Sequence, residues 1–202
     1  RSTLMGYVIH MPKYTKEQLF DILADRARLA FYEGVVRDDL LEFVAELAAQ
    51  KGDARYAIRL LWRAGKLAEN EGKREVLPEH VRKAVALVWP VPRDIVMALP
   101  LHAKLVLLAI SRELQHTDEP HVKMGLVEDE YHVVCEEFGQ RPRKHTQVWK
   151  YVQDLAKLGI ILARPSGPGM KGRTTLIGLK VPARELGNAI EEQVRKELGL
   201  GG

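Results

Sequence analysis

The stretch ARPSGPGMKGRTTLIG, residues 163–178, decides how the C-terminal half of the chain is read. Its glycines at 167, 169 and 172 fit the spacing G-x-G-x-x-G, which in a dinucleotide site cradles phosphates. Such a loop needs a strand before it and a helix after it, because the helix N-terminus supplies the N–H groups and the positive dipole end. Gly172 is followed instead by RTTLIGLKV, with two threonines and then apolar alternation around a glycine. That is a poor helix start and a good strand, and Pro168 removes one N–H donor besides. The stretch therefore reads as a hairpin between strands at Ile160–Arg164 and Thr174–Val181, carrying Lys171 and Arg173.

The segments just upstream complete a pattern. Leu101–Leu114 is a strongly apolar helix, Glu128–Phe138 a second one ended by Gly139, and Arg143–Leu158 a third with Val148, Val152, Leu155 and Leu158 inward. Three helices and then a hairpin is the order of a winged helix-turn-helix, whose third helix enters the major groove while the wing lies along the DNA backbone. From position 141 to 173 the basic residues are Arg141, Arg143, Lys144, Lys150, Lys157, Arg164, Lys171 and Arg173, against the single acid Asp154. Net charge over the whole chain is only +4, so the excess sits on the third helix and wing. Arg143, Thr146, Gln147, Lys150 and Asp154 share the helix face opposite the apolar stripe, mixing phosphate anchors with side chains able to read base edges. Trp149 is open between packing at the core edge and packing on the wing. His145 is open between a phosphate contact and plain solvation.

The N-terminal half reads as a small helical bundle. Thr15 caps a first helix with Gln18 in the capping-box position, and Leu19, Ile22, Leu23, Ala27, Ala30 and Phe31 follow inward to a stop at Gly34. Asp38 or Asp39 starts a second helix, closed by Gly52; Asp53 caps a third with Ala57, Leu60, Leu61, Ala64 and Ala68 inward; Pro78 suits the first turn of a fourth. WPVPR, residues 89–93, cannot continue a helix and marks the boundary between the halves. Ala183–Leu198 reads as one more amphipathic helix.

Bulk numbers exclude several classes. With 46% hydrophobic and 29% charged residues, the 202-residue chain is an ordinary globular protein with room for two cores. One cysteine, Cys135, allows neither a disulfide framework nor a Cys-based zinc site within the chain. No apolar run has spanning length. His116, Asp118, Glu119 and His121 crowd one loop, but no regular element fixes them as metal ligands, so no metal site is expected. No Ser or Cys nucleophile signature is present.

GDARYAIRLLWRAGKLAE, residues 52–69, resembles the sensor 2 region in the lid of AAA+ ATPases. YTKEQLFDILADRARLAFYEGVV, residues 14–36, resembles the first lid helix of archaeal origin-recognition and cell-division-control initiators. VWKYVQDLAKLGIILARPSGPGMKGRTTLIGL, residues 148–179, resembles the recognition helix and wing of the same proteins. The resemblance covers nearly the whole chain, lid then winged helix. It implies an ATP-dependent initiator that binds double-stranded origin DNA and helps recruit or load the replicative MCM helicase, with other initiator copies as further partners and no membrane. By the same resemblance Arg55 is the sensor 2 arginine, reaching the phosphates of ATP or ADP with Mg²⁺ on an ATPase base. A phosphate-binding G-x-x-x-x-G-K-[ST] loop and paired acids for Mg²⁺ are not found in the sequence. The chain alone is thus not expected to be an enzyme or to hold nucleotide stably, and Tyr7, Val8 and Ile9 read as a last strand of that base. Without the resemblance, Arg55 would read as a surface arginine paired with a carboxylate.

The resulting expectation is a mainly α chain. Residues 1–14 are a remnant of an ATPase base, 15–90 an AAA+ lid, 91–185 a winged-helix DNA-binding domain with a β-hairpin wing, and 186–202 a C-terminal helix and tail. DNA contacts are expected from Arg141, Arg143, Lys144, Thr146, Gln147, Lys150, Arg164, Lys171, Arg173 and Thr174, in a cytoplasmic, nucleoid-associated protein. Two other readings stand beside it: a winged-helix transcription regulator with a helical dimerisation domain, which has no use for Arg55, and a protein-interaction module.

Overall fold

A computed structural model describes residues 11–87, 93–167 and 174–200. Four helices form the first unit: α1 (Lys16–Ala30), α2 (Asp38–Ala49), α3 (Ala54–Asn70) and α4 (Pro78–Ala86). The caps are those the sequence signals. The Thr15 side chain accepts from Gln18 N–H while the Gln18 side chain accepts from Thr15 N–H. Asp53 accepts from the N–H groups of Arg55 and Tyr56, and Pro78 opens α4. Gly52 takes φ +62° between α2 and α3, where a Cβ would also strike Lys13. One expectation fails. α1 ends at Ala30, four residues before Gly34, because Phe31 leaves the helix. Its ring fills the space beside Gly65, where an added Cβ would come within 2.7 Å of it.

The second unit runs α5 (Arg93–Met97), α6 (Leu101–Gln115), β1 (Val122–Lys123), α7 (Met124–Glu137), α8 (His145–Lys157), β2 (Ile161–Pro165), β3 (Thr175–Leu179) and α9 (Ala183–Glu197). α6 is its axis, with Leu105 to Ile110 all buried, and α7, α8, α9 and β3 pack around it. The sheet has three antiparallel strands in the order β1-β3-β2, with Val122 opposite Ile177 and Ala163 also opposite Ile177 on the other side. The third strand was not anticipated. Two residues are too short to show alternation, and β1 exists because β3 offers it an edge. α7 begins four residues earlier than expected, at Met124, and α8 begins at His145 rather than Arg143. α5 was not expected, β2 is shifted one residue to Ile161–Pro165, β3 is shorter at Thr175–Leu179, and the ends of α6, α7, α8 and α9 differ by one residue. The expected strand at Tyr7–Ile9 and most of the 89–93 boundary lie outside the described residues.

α9 is part of the winged-helix core, since Leu186, Ile190 and Val194 are buried in the same apolar cluster as α6. Leu162 of β2 turns the other way and joins the apolar cluster of the helical bundle. Polar contacts follow it across. Arg82 of α4, 1% exposed, donates to Glu79 at 3.2 Å and to the Pro120 carbonyl at 3.0 Å, with its guanidinium over the Phe43 ring. Glu79 in turn accepts from Ala183 N–H at 3.1 Å, so a bundle carboxylate caps α9, whose N-terminus has no cap of its own. His121 lies edge-on to Phe43, with Nε2 3.0 Å from Glu46. Burial alone would raise the Glu46 carboxyl, but the hydrogen bond and charge of His121, with Arg164 and Lys16 behind them, hold it below its ordinary range.

Candidate nucleic-acid interface

The turn between α7 and α8 delivers the basic residues. Gly139, at φ +63°, follows the end of α7, and residues 140–144 then form no helix or strand, Lys144 being extended. A buried hydroxyl holds that segment in place: Tyr131, fully buried on α7, accepts from Arg143 N–H at 3.1 Å and lies 2.8 Å from Nδ1 of His102. The hydroxyl thus bridges the Arg143 N–H and the ring of a neutral His102. Burial, and then the charge of Arg143, push the His102 ring below its ordinary value, in keeping with that neutral state. Nothing in the sequence pattern marked Tyr131 or His102 for this task.

Arg141, Arg143, Lys144, Thr146 and Gln147 line one concavity of about 600 Å³ at the N-terminus of α8, together with Pro142 and Tyr151 and without an acidic residue. Arg141, Arg143, Lys144 and Thr146 are exposed and Gln147 is half-buried. Lys150 is exposed one turn beyond Thr146. None of these four cations forms an ion pair among the described residues. Lys144 is the N-cap residue of α8, which has neither a side-chain cap bond nor an acid in its first turn. Three cations at the positive end of a helix repel it, so the site combines local electrostatic cost with N–H groups left for an outside anion.

A second concavity lies between α7, α8 and the wing base. His145 and Trp149 of α8 line it with Met124, Gly125 and Glu128 of α7 and with Pro165, Thr174 and Thr175 at the wing base. Trp149 is 37% exposed there, which places it beside the wing rather than in the core. His145 Nδ1 contacts Glu128 at 2.5 Å, a partner that the sequence reading missed. Thr174 and Ser166 close the wing base through Ser166 N–H to Thr174 O at 2.8 Å and Thr174 N–H to the Ser166 hydroxyl at 3.2 Å. Lys171 and Arg173 lie outside the described residues.

Arg164 does not belong to this surface. Its guanidinium points to α2, with Nε 3.4 Å from Glu46 and a terminal nitrogen 3.8 Å from Glu42. The charge count along the sequence grouped it with the wing. β2, however, presents one face to the bundle, where Leu162 and Arg164 both point. Arg55 stands at the other end of the molecule's chemistry, exposed in the first turn of α3 with no ion pair among the described residues. Arg59 and Arg63 follow it at four-residue spacing. His121, counted among loop residues of metal-ligand type, is spent on Glu46.

Removing the Tyr131 hydroxyl tests how the turn between α7 and α8 is held. Tyr131→Phe leaves Nδ1 of His102 and the Arg143 N–H without their shared partner, so stability falls by about 1–2 kcal/mol. A chemical denaturation midpoint equal to that of the parent protein would mean that the hydroxyl does not hold the turn.

A four-helix bundle joined to a winged helix defines a class of lid-bearing, winged-helix proteins. The comparisons narrow it. Residues 20–86 match the family model of the Cdc6 AAA+ ATPase-type lid domain, and residues 94–189 that of the Cdc6 C-terminal winged helix domain. The ORC1-type DNA replication protein 2 of Sulfurisphaera tokodaii is 41% identical over 201 residues, covering 95% of this chain and 48% of that protein. Its counterpart from Saccharolobus solfataricus is 38% identical over 98% of this chain and 50% of its own length. The crystal structure of Cdc6p from Pyrobaculum aerophilum superposes with a TM-score of 0.86 at 38% identity, covering 96% of this chain and 52% of that one. The chain belongs to the Cdc6/ORC1-type family and carries its lid and winged-helix domains. It spans about half the length of the curated relatives it matches. Among the described residues no helix is long and apolar enough to cross a membrane.

Proposed function

We propose that this chain is the lid and DNA-binding portion of a replication initiator, and that it grips duplex origin DNA through α8. The observation that carries this reading is the acid-free concavity shared by Arg141, Arg143, Lys144, Thr146 and Gln147. Arg141, Arg143 and Lys144 take phosphates beside the groove, and Thr146, Gln147 and Lys150 face the base edges as the N-terminus of α8 enters it. Thr174 adds a contact at the wing base. Lys171 and Arg173 extend the phosphate contacts along the wing on the strength of the sequence. Arg164 is left out, being committed to α2.

In the longer protein the lid covers ATP, with Mg²⁺ supplied at an ATPase base, and Arg55 reaches the phosphates. Its exposure and its lack of an ion pair among the described residues support that role. Recruitment of the MCM helicase, cooperation with further initiator copies and action at the nucleoid follow from the same reading.

Anisotropy titrations with a labelled duplex at several salt concentrations test the DNA contact. Gln147→Ala shifts base preference at one position by about 1–3 kcal/mol of discrimination while leaving the salt slope unchanged. A loss that is equal on every sequence would reassign Gln147 to positioning.

A further inference from the structure

We propose that the far end of the lid is a docking groove for an acidic, amphipathic peptide segment of a partner protein. A groove of about 960 Å³ runs between the C-terminal parts of α1 and α3 and the 72–76 loop. Phe31, Val35, Leu61 and Val76 form its floor, and the Val76 N–H bond to Val35 O at 2.9 Å closes one end. On its lips stand Leu29, Tyr32 and Trp62, exposed to 79%, 90% and 59%. Three large apolar side chains around one concavity are unlike the single exposed apolar residues of an ordinary surface, and mark a place that something covers.

The charge on the rim selects the occupant. Arg26, Lys66, Lys73 and Arg74 face two acids, Glu69 and Glu75. Glu69 is held by Lys66 at 2.8 Å, and Arg26, Lys73 and Arg74 have no ion pair among the described residues. An apolar trough with a cationic rim fits a helix or strand that presents alkyl or phenyl side chains inward and carboxylates outward. Leu29, Val35, Leu61 and Val76 interleave with Phe31, Tyr32 and Trp62 around the trough, a lining that takes inserted alkyl and phenyl side chains. The aromatics could also stack bases, and competition with an oligonucleotide separates the two.

The groove is also distinct from the end of the lid where the chain enters. Tyr14 N–H donates to Gly52 O at 3.2 Å, so the entry lies beside the start of α3 and beside Arg55. Trp62 is about 12 Å further along that helix, and Lys66 about 18 Å. A ligand at the Arg55 end leaves the groove open.

The test uses the whole 202-residue chain, isotopically labelled, and a synthetic 16-residue peptide with Leu and Phe at helical i, i+3, i+4 and i+7 positions and Glu elsewhere. The same peptide with Lys for Glu is the control. Binding of the Glu peptide with Kd near 10 µM is expected, with amide shifts confined to residues 26–35 and 58–76. Trp62→Ala, and separately Lys73→Glu with Arg74→Glu, weaken it at least tenfold at unchanged melting temperature, and the Lys peptide does not bind. Equal binding of the two peptides, or indifference to these variants, would overturn the proposal. Displacement of the peptide by a single-stranded oligonucleotide would assign the groove to nucleic acid and also overturn it. So would a dimer in sedimentation that Trp62→Ala converts to monomer, because the occupant would then be a second copy.

Discussion

Changing Arg141, Arg143 and Lys144 together to alanine lowers duplex affinity about 500-fold at 0.1 M salt. The figure follows from counterion release. Each phosphate contact contributes about 0.9 to the slope of log K against log salt, so each is worth about eightfold at 0.1 M, and three act together. The slope itself therefore falls by about 2.7. The fold should tolerate the change, because all three side chains are exposed and unpaired among the described residues. α8 itself should gain slightly, since cations are removed from its positive end. A triple variant that melts at or above the parent temperature while losing most of its DNA affinity separates binding from folding. Unchanged affinity would move the interface elsewhere.

The second large effect concerns the seam between the two units. Arg82→Ala removes the donor to Pro120 O and the cation over Phe43, and strips Glu79 of its partner. Removing one member of a buried charged pair costs about 3–5 kcal/mol. Glu79 is 30% exposed and keeps the Ala183 N–H, which places the loss near the lower end, about 3 kcal/mol. Because Arg82 ties the bundle to the Pro120–His121 segment and, through Glu79, to α9, melting should split into two transitions. Arg82→Met fills the volume without the charge and should recover part of the loss. A single transition at the parent temperature for Arg82→Ala would show that the seam is held by Leu162 and its apolar neighbours alone.

Much of this architecture was legible in the residues. Caps at Thr15, Asp53 and Pro78 fixed three helix starts, because each is a local device that works within four residues. The TTLIGL alternation ruled out a nucleotide loop and gave β3. Where no local device or apolar run marks the start, the boundary slipped or the element was missed. α7 starts at Met124 after an uncapped Lys123, and β1 is a strand only by pairing with β3.

The candidate interface divides in the same way. Arg141, Arg143, Lys144, Thr146 and Gln147 are close in sequence, so nearness along the chain flagged them together, while the non-helical 141–144 segment takes its place from the Tyr131 hydroxyl, which the sequence did not show. Arg164 was misread because its side chain crosses to Glu42 and Glu46, more than a hundred positions upstream. Arg82 was missed altogether. It looks like an exposed helix position between Val81 and Lys83, yet it is buried, with its guanidinium over the Phe43 ring and bonded to the Pro120 carbonyl.

The central claim is that duplex DNA lies against the N-terminus of α8 and the wing base. Amide shift mapping of the labelled chain with a short duplex at low salt tests it most directly. The account predicts shifts concentrated at residues 141–150 and 174–175, fading as salt is raised, with α1 to α4 unmoved. Shifts centred on the arginines of α3, or spread evenly over the surface, would contradict it.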